Sequence, residues 1–185
     1  MRRSVLIIVS GPPASGKSRI ARSLRSHLGF AVVAKDDIKE RLFDTEAIVS
    51  AGDRRDLSRR ACIVALEQVA ELLLRGESAI LEGNWRAADH GAAIARLVSG
   101  HRPAVLQVQC VGAGERLLER FVARARAGLR HPAHSDLDAL PRLRDELLRG
   151  RYDPLPLSGP ILEIDTTIDD EGEPSIAAAV ALVQR

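Results

Sequence analysis

The chain has 185 residues, 45% hydrophobic and 28% charged, the composition of one soluble globular domain with room for a sizeable core. No apolar run approaches a membrane span and the N-terminus enters a strand without a leader pattern, so a cytoplasmic protein is expected. A formal net charge of +2 is too small to argue for nucleic-acid binding by charge alone.

Val5–Val9 reads as a strand buried on both faces, and Ile20, Ala21, Leu24 and Leu28 recur at helical spacing after it. Between them lies Gly11-Pro12-Pro13-Ala14-Ser15-Gly16-Lys17-Ser18, which matches the phosphate-loop pattern G-x-x-x-x-G-K-[ST] at every fixed position. Gly11 and Gly16 allow the loop to wrap with its amides inward. Lys17 is placed to reach the β and γ phosphates of ATP, and the Ser18 hydroxyl to ligate Mg²⁺. The following helix points its positive end at the same anion.

Gly29 stops that helix, and residues 30–34 read as a second strand running into Lys35-Asp36-Asp37-Ile38-Lys39, where the next helix begins. Acidic residues suit a helix start, but a carboxylate at the C-terminal end of a parallel strand is also where open α/β sheets place ligand-handling groups. Only Lys17, Lys35 and Lys39 of the 27 basic residues are lysines. A coding bias explains the arginines, yet lysine stands where a compact charge on a flexible stem is wanted.

Residues 44–56 read as a loop or broken helix. A long helix follows, striped by Leu57, Ala61, Val64, Ala65, Val69, Leu72 and Leu73 and ended by Gly76. Residues 78–81 form a third strand that finishes in Glu82-Gly83-Asn84-Trp85. Glu82 takes the strand-end position of an acid that holds Mg²⁺ directly or through water. Asn84 and Trp85 read equally as turn and core or as substrate contacts. A helix from Ala88 to Val98 ending at Gly100, a strand over Ala104–Val111 and a helix from Glu115 come next.

Arg116, Arg120 and Arg124 share one face of that last helix, with Arg126 and Arg130 beyond. Such a series is commonly a solvated face, but on a hinged lid over residues 120–135 it would close upon transferring phosphates. A helix over residues 137–148, a proline-rich loop, a strand over Ile161–Asp165 and a helix over Pro174–Gln184 complete the chain. Five strands alternating with helices imply a parallel sheet covered on both faces. Cys62 and Cys110 lack metal-ligand spacing and read as buried thiols.

The phosphate loop, Asp36 to Lys39, Glu82-Gly83-Asn84 and the segment from Arg120 to Pro132 together resemble a small P-loop kinase of the adenylate-kinase-like group. The nearest members are predicted bacterial AAA-type kinases, grouped with polynucleotide 5′-hydroxyl kinases and chloramphenicol phosphotransferase. The resemblance implies a three-layer α/β/α P-loop NTPase fold, with a five-stranded parallel sheet of order 2-3-1-4-5 and a helical lid, as a single domain over residues 1–185. It implies Asp36 as general base, ATP phosphates held by the loop from Gly11 to Ser18 and by Arg120 and Arg124, and Arg124 and Arg126 acting with Lys17 in the transition state. Asp36, Lys39, Glu82 and Asn84 would face the acceptor, and Ser18 and Glu82 the metal.

The expected activity is transfer of the γ-phosphate of ATP·Mg²⁺ to a hydroxyl of a small molecule. Polynucleotide kinases carry arginine three residues after the base, where this chain has Lys39, and the 3% aromatic content offers few stacking platforms. A nucleic-acid end is therefore the second acceptor and a regulatory ATPase the third reading. A GTP switch lacks its guanine-reading N-K-x-D, since Asn84 is followed by Trp85. Acceptor specificity should lie in residues 38–56 and 83–91.

Overall fold

A computed structural model describes residues 3–46, 50–128, 130–168 and 172–184. Five strands, β1 (Val5–Ser10), β2 (Ala31–Ala34), β3 (Ala79–Glu82), β4 (Ala104–Val111) and β5 (Ile161–Asp165), form one sheet in the order β2-β3-β1-β4-β5. Every neighbouring pair is parallel. Seven helices among the described residues connect them: α1 (Lys17–Leu28), α2 (Lys35–Thr45), α3 (Ala51–Leu74), α4 (Ala87–His101), α5 (Gly114–Arg126), α6 (Asp136–Arg149) and α7 (Gly172–Gln184).

The strand pleat sorts the core into two layers. Leu6, Ile8 and Leu81 pack with Ala61, Ala65, Val69 and Ile94 of α3 and α4, whereas Ile7, Val9 and Ile80 pack with Ile20 and Leu24 of α1 and Ile176 and Ala179 of α7. A continuous apolar β1 is required because both faces are covered. A third cluster, Leu117 and Phe121 with Ala139, Leu143 and Leu147, joins α5 to α6 beside the sheet.

Three boundaries differ from those read in the sequence. The helix α3 begins at Ala51 rather than after residue 56, because Ser50 and Asp53 form a reciprocal cap: Asp53 N donates to Ser50 Oγ at 3.1 Å and Ser50 N to Asp53 Oδ2 at 2.8 Å. The expected loop thus shrinks to the joint after α2, of which residues 47–49 lie outside the described residues. Gly100 does not end α4. The helix runs to His101 and stops at Arg102, which takes φ 51°, because a residue before proline, here Pro103, is barred from continuing the helix. The closing helix starts at Gly172, two residues before Pro174.

Register does the most to build a site. Val9 of β1 and Ala34 of β2 both stand opposite Glu82 of β3. The phosphate loop after β1, the start of α2 and the end of β3 therefore leave the same edge of the sheet at one level, where open parallel sheets bind their ligands.

Candidate active site

Gly11 has φ 149°, and a Cβ there would lie 2.2 Å from the Cys110 carbonyl oxygen of β4. Gly16 has φ 73° and forms the N-terminal boundary of α1. The loop between them turns tightly, with Ser15 N bonded to Pro12 O at 3.3 Å. Ser15 is fully buried and its Oγ has no hydrogen-bond partner among the described residues. Lys17 folds back over the loop and donates to Pro12 O at 2.6 Å.

The loop forms the floor of a cavity of about 1080 Å³. Pro13, Ala14, Gly16, Lys17 and Ser18 line it, while Gly11, Pro12 and Ser15 stand behind them. Asp36, Lys39, Glu82 and Asn84 line the same cavity, as do Arg120 and Arg124. Arg126 is exposed and outside this lining.

Glu82 is 5% exposed and forms no ion pair among the described residues. Burial pushes its carboxyl up from the ordinary range, against the pull of Lys17. Burial likewise lowers Lys17, against the pull of Glu82. Asp36 is the reverse case. Burial alone would raise it, but Lys35, His134, Arg130 and Lys17 outweigh that and hold its carboxyl well below the usual range.

Lys35 is buried and donates to Asn84 Oδ1, so the one asparagine both faces the cavity and anchors a lysine. Trp85 belongs to the core: it is fully buried, edge-on to His90 at 5.3 Å, with its main-chain N–H and C=O both bonded to Ser10 Oγ at 3.0 and 2.9 Å. Behind Asn84, Arg86 donates to Glu146 Oε2 at 2.9 Å and Tyr152 donates to Glu146 Oε1. Gly83 is closely packed: a Cβ there would lie 3.0 Å from the Trp85 ring and 3.1 Å from Lys35 Cβ.

The arginine series divides three ways. Arg116 pairs with Glu119 on the surface. Arg120 donates to Thr166 O at 2.6 Å and Thr167 O at 3.0 Å, tying α5 to the end of β5. Arg124 meets Asp136 at 3.3 Å across the turn between α5 and α6. That turn, described except for residue 129, reaches over to α2 through three pairs: Arg130 with Asp36 at 3.1 Å, His131 with Asp44 at 3.1 Å and His134 with Glu40 at 2.8 Å.

Lys35 and His134 are site residues given no role in the sequence, and Arg130, expected there as a lid arginine, pairs with Asp36 at 3.1 Å. The scarcity of lysine flagged the first; nothing local flags the pairing of Arg130 and His134 with a helix some ninety residues away.

Among the described residues no cluster of three or more His, Cys, Asp or Glu could hold a metal ion by itself. Ser18, exposed at the cavity, and the unpaired Glu82 fit an ion that arrives with oxygen ligands of its own, as magnesium does on a polyphosphate. The Gly11 turn and the orphaned Ser15 hydroxyl fit the polyphosphate.

The chain matches the family described as AAA domain over residues 6–148. Over 127 residues it is 35% identical to an uncharacterised protein of Mycobacterium tuberculosis, covering 65% of this chain and 26% of the relative, so it spans about a quarter of the curated relatives it matches. A candidate kinase from Chloroflexus aurantiacus superposes with a TM-score of 0.83 at 31% identity, covering 99% of this chain and 98% of that one. The Mycobacterium tuberculosis APS kinase, solved with AMPPNP and APS, superposes with a TM-score of 0.60 at 19% identity over the whole of both chains, a likeness of fold.

Proposed function

The chain belongs to the AAA domain family and has the fold of small P-loop kinases, and from that premise we propose that it transfers the γ-phosphate of ATP to a hydroxyl of a small-molecule acceptor. The carrying observation is that the phosphate loop, Asp36 and Glu82 open into one cavity from adjacent strand ends. A motor or switch also needs the loop and a metal-holding acid, but it directs water at the phosphate; what favours a kinase is a second carboxylate, Asp36, beside room for an acceptor.

In this reading the loop amides and Lys17 grip the β and γ phosphates, Lys17 exchanging Pro12 O for phosphate oxygen. Ser18 and Glu82 would hold magnesium, which would supply neutralisation of the phosphate charge. Asp36 meets the acceptor hydroxyl. Arg130 occupies Oδ2, which leaves Oδ1 for the proton.

A carboxylate so well stabilised by cations is a weak base, so Asp36 orients the hydroxyl and takes its proton late, once the phosphoryl group has largely left ADP. Arg124 and Arg130 reach the cavity from the α5–α6 turn and neutralise charge as it shifts, with Arg126 joining only if the lid moves. Two cysteines that form no disulfide fit a cytoplasmic location.

The test is ATP-dependent phosphorylation across antibiotics, sugars, nucleosides and 5′-hydroxyl oligonucleotides, with Lys17→Ala and Asp36→Asn as controls. Both variants should lose transfer, and only Lys17→Ala should bind ATP severely more weakly. Full transfer by Asp36→Asn would remove Asp36 from the base role, and ATP loss without any phosphorylated product would favour a regulatory ATPase.

A further inference from the structure

The cavity is far more basic than the chain that forms it. Twelve lysine and arginine side chains and five carboxylates line it, an excess of seven positive charges in a protein whose formal net charge is +2. A triphosphate with its magnesium cancels only part of that excess. Much of the remainder is already committed: Arg86 to Glu146 and Asp89, Arg124 to Asp136, Arg130 to Asp36 and Asp136, Arg59 to Asp56.

Lys39 is not committed. It is 9% exposed, lines the cavity one helical turn after Asp36, and its ammonium makes no hydrogen bond or ion pair among the described residues. Burial pushes it down to about 8; Asp36 works the other way, and Lys35, Arg130 and Arg142 lower it further. Arg142, exposed on α6, likewise has no hydrogen bond or ion pair among the described residues and lines the same cavity.

A buried cation without a bonded carboxylate is costly, and gathering further cations around it adds to that cost. Proteins ordinarily satisfy such a group with a carboxylate of their own. Here the cations converge from α2, α6 and the turn before α6, and Asp36, the carboxylate that chiefly supports Lys39, already pairs with Arg130.

We propose that the acceptor carries an anionic group besides its hydroxyl, a phosphate or a carboxylate seated between Lys39 and Arg142, with the hydroxyl directed at Asp36. The inference rests on the kinase reading of the site and narrows it to one class, small anionic hydroxyl compounds. Lys39, one turn from the base, would set how far the hydroxyl stands from the anion: about the 5–6 Å between neighbouring side-chain positions on a helix.

The experiment isolates this half of the cavity by filling the other. The full chain is saturated with Mg²⁺·AMPPNP, and inorganic phosphate or acetate is titrated in by calorimetry. At least one anion should bind in the millimolar range, Lys39→Met should weaken it tenfold or more, and Lys39→Arg should restore it. Phosphate binding alone indicates a phosphorylated acceptor and acetate binding alone a carboxylic one.

Lys39→Met keeps the buried stem and removes the unpaired charge, so its melting temperature should not fall. If neither anion binds, or if Lys39→Met binds as well as the wild type, the inference is overturned while the kinase reading stands. Failure of the wild type to bind AMPPNP would overturn that reading and this inference with it.

Discussion

Replacing Gly11 by alanine tests whether the phosphate loop is held in shape by the strand beside it. The added Cβ would sit 2.2 Å from Cys110 O, where carbon ordinarily rests on a carbonyl oxygen at about 3.3 Å. Loop or strand must therefore move by about 1 Å. The strand β4 cannot easily move, being paired on both sides, to β1 through Val5–Ser10 and to β5 through Ile161–Asp165.

Overpacking costs about 1–3 kcal/mol and a backbone angle of φ 149° a similar amount, for a sum of about 2–6 kcal/mol. At about 2–4 °C per kcal/mol for a domain of this size, the melting temperature should fall by about 4–24 °C. Gly29 provides the comparison. It has φ 70° but no atom within 4 Å of its Cβ position, so Gly29→Ala should cost about 1–2 kcal/mol and leave AMPPNP binding unchanged. Differential scanning calorimetry and AMPPNP titration read both variants. If Gly11→Ala melted within 3 °C of Gly29→Ala and bound AMPPNP like the wild type, the loop would not depend on that close approach, and the argument from β4 would fail.

Further outcomes follow from single groups. Glu82 has a folded pKa above the ordinary value of about 4.3, so the stability it contributes is full below that pH and is lost as pH rises through the folded value. Melting curves of wild type and Glu82→Gln should therefore diverge as pH rises above about 4.3, the variant gaining relative to the wild type; parallel curves would count against a strained carboxylate. Ser10→Ala strands the main-chain N–H and C=O of buried Trp85 and should cost about 1–3 kcal/mol, measured by urea unfolding. Because Asp36 is held well below the usual range by Lys35, His134, Arg130 and Lys17, its protonation should put no acid limb into kcat above pH 4; an acid limb above pH 4 in the wild type that is lost in Asp36→Asn would count against this.

Local chemistry made the strands legible: β1 is a continuous apolar run because both faces are covered, and the glycine-framed turn marks its end, whereas the strand order came from the family resemblance and not from any local signal. Glu82 and Asp36 were legible for the same reason, as acids at strand ends. Where two local signals competed, the reading slipped. Ser50 and Asp53 lie in a segment expected as a loop or broken helix although their spacing is that of a cap, and Gly100 was expected as a stop although Pro103 ends the helix. Least legible was what depends on distant pairing. That Arg120 holds backbone carbonyls of residues 166 and 167, while Arg130 crosses to Asp36, follows from how α5 and α6 pack, and nothing in the spacing of the arginines distinguishes the two.

The resting position of Lys17 has a thermodynamic consequence. Its ammonium is not waiting in water for a nucleotide but is bonded at 2.6 Å to Pro12 O. Arrival of a phosphate swaps one oxygen partner for another, so this residue contributes to affinity only the difference between a charged and a neutral acceptor. In return the side chain is ordered beforehand, and its rotamer entropy, about 2 kcal/mol for a lysine, is lost on folding rather than on each encounter with ATP. Loading the donor should thus show a small enthalpy and a fast on-rate from this contact.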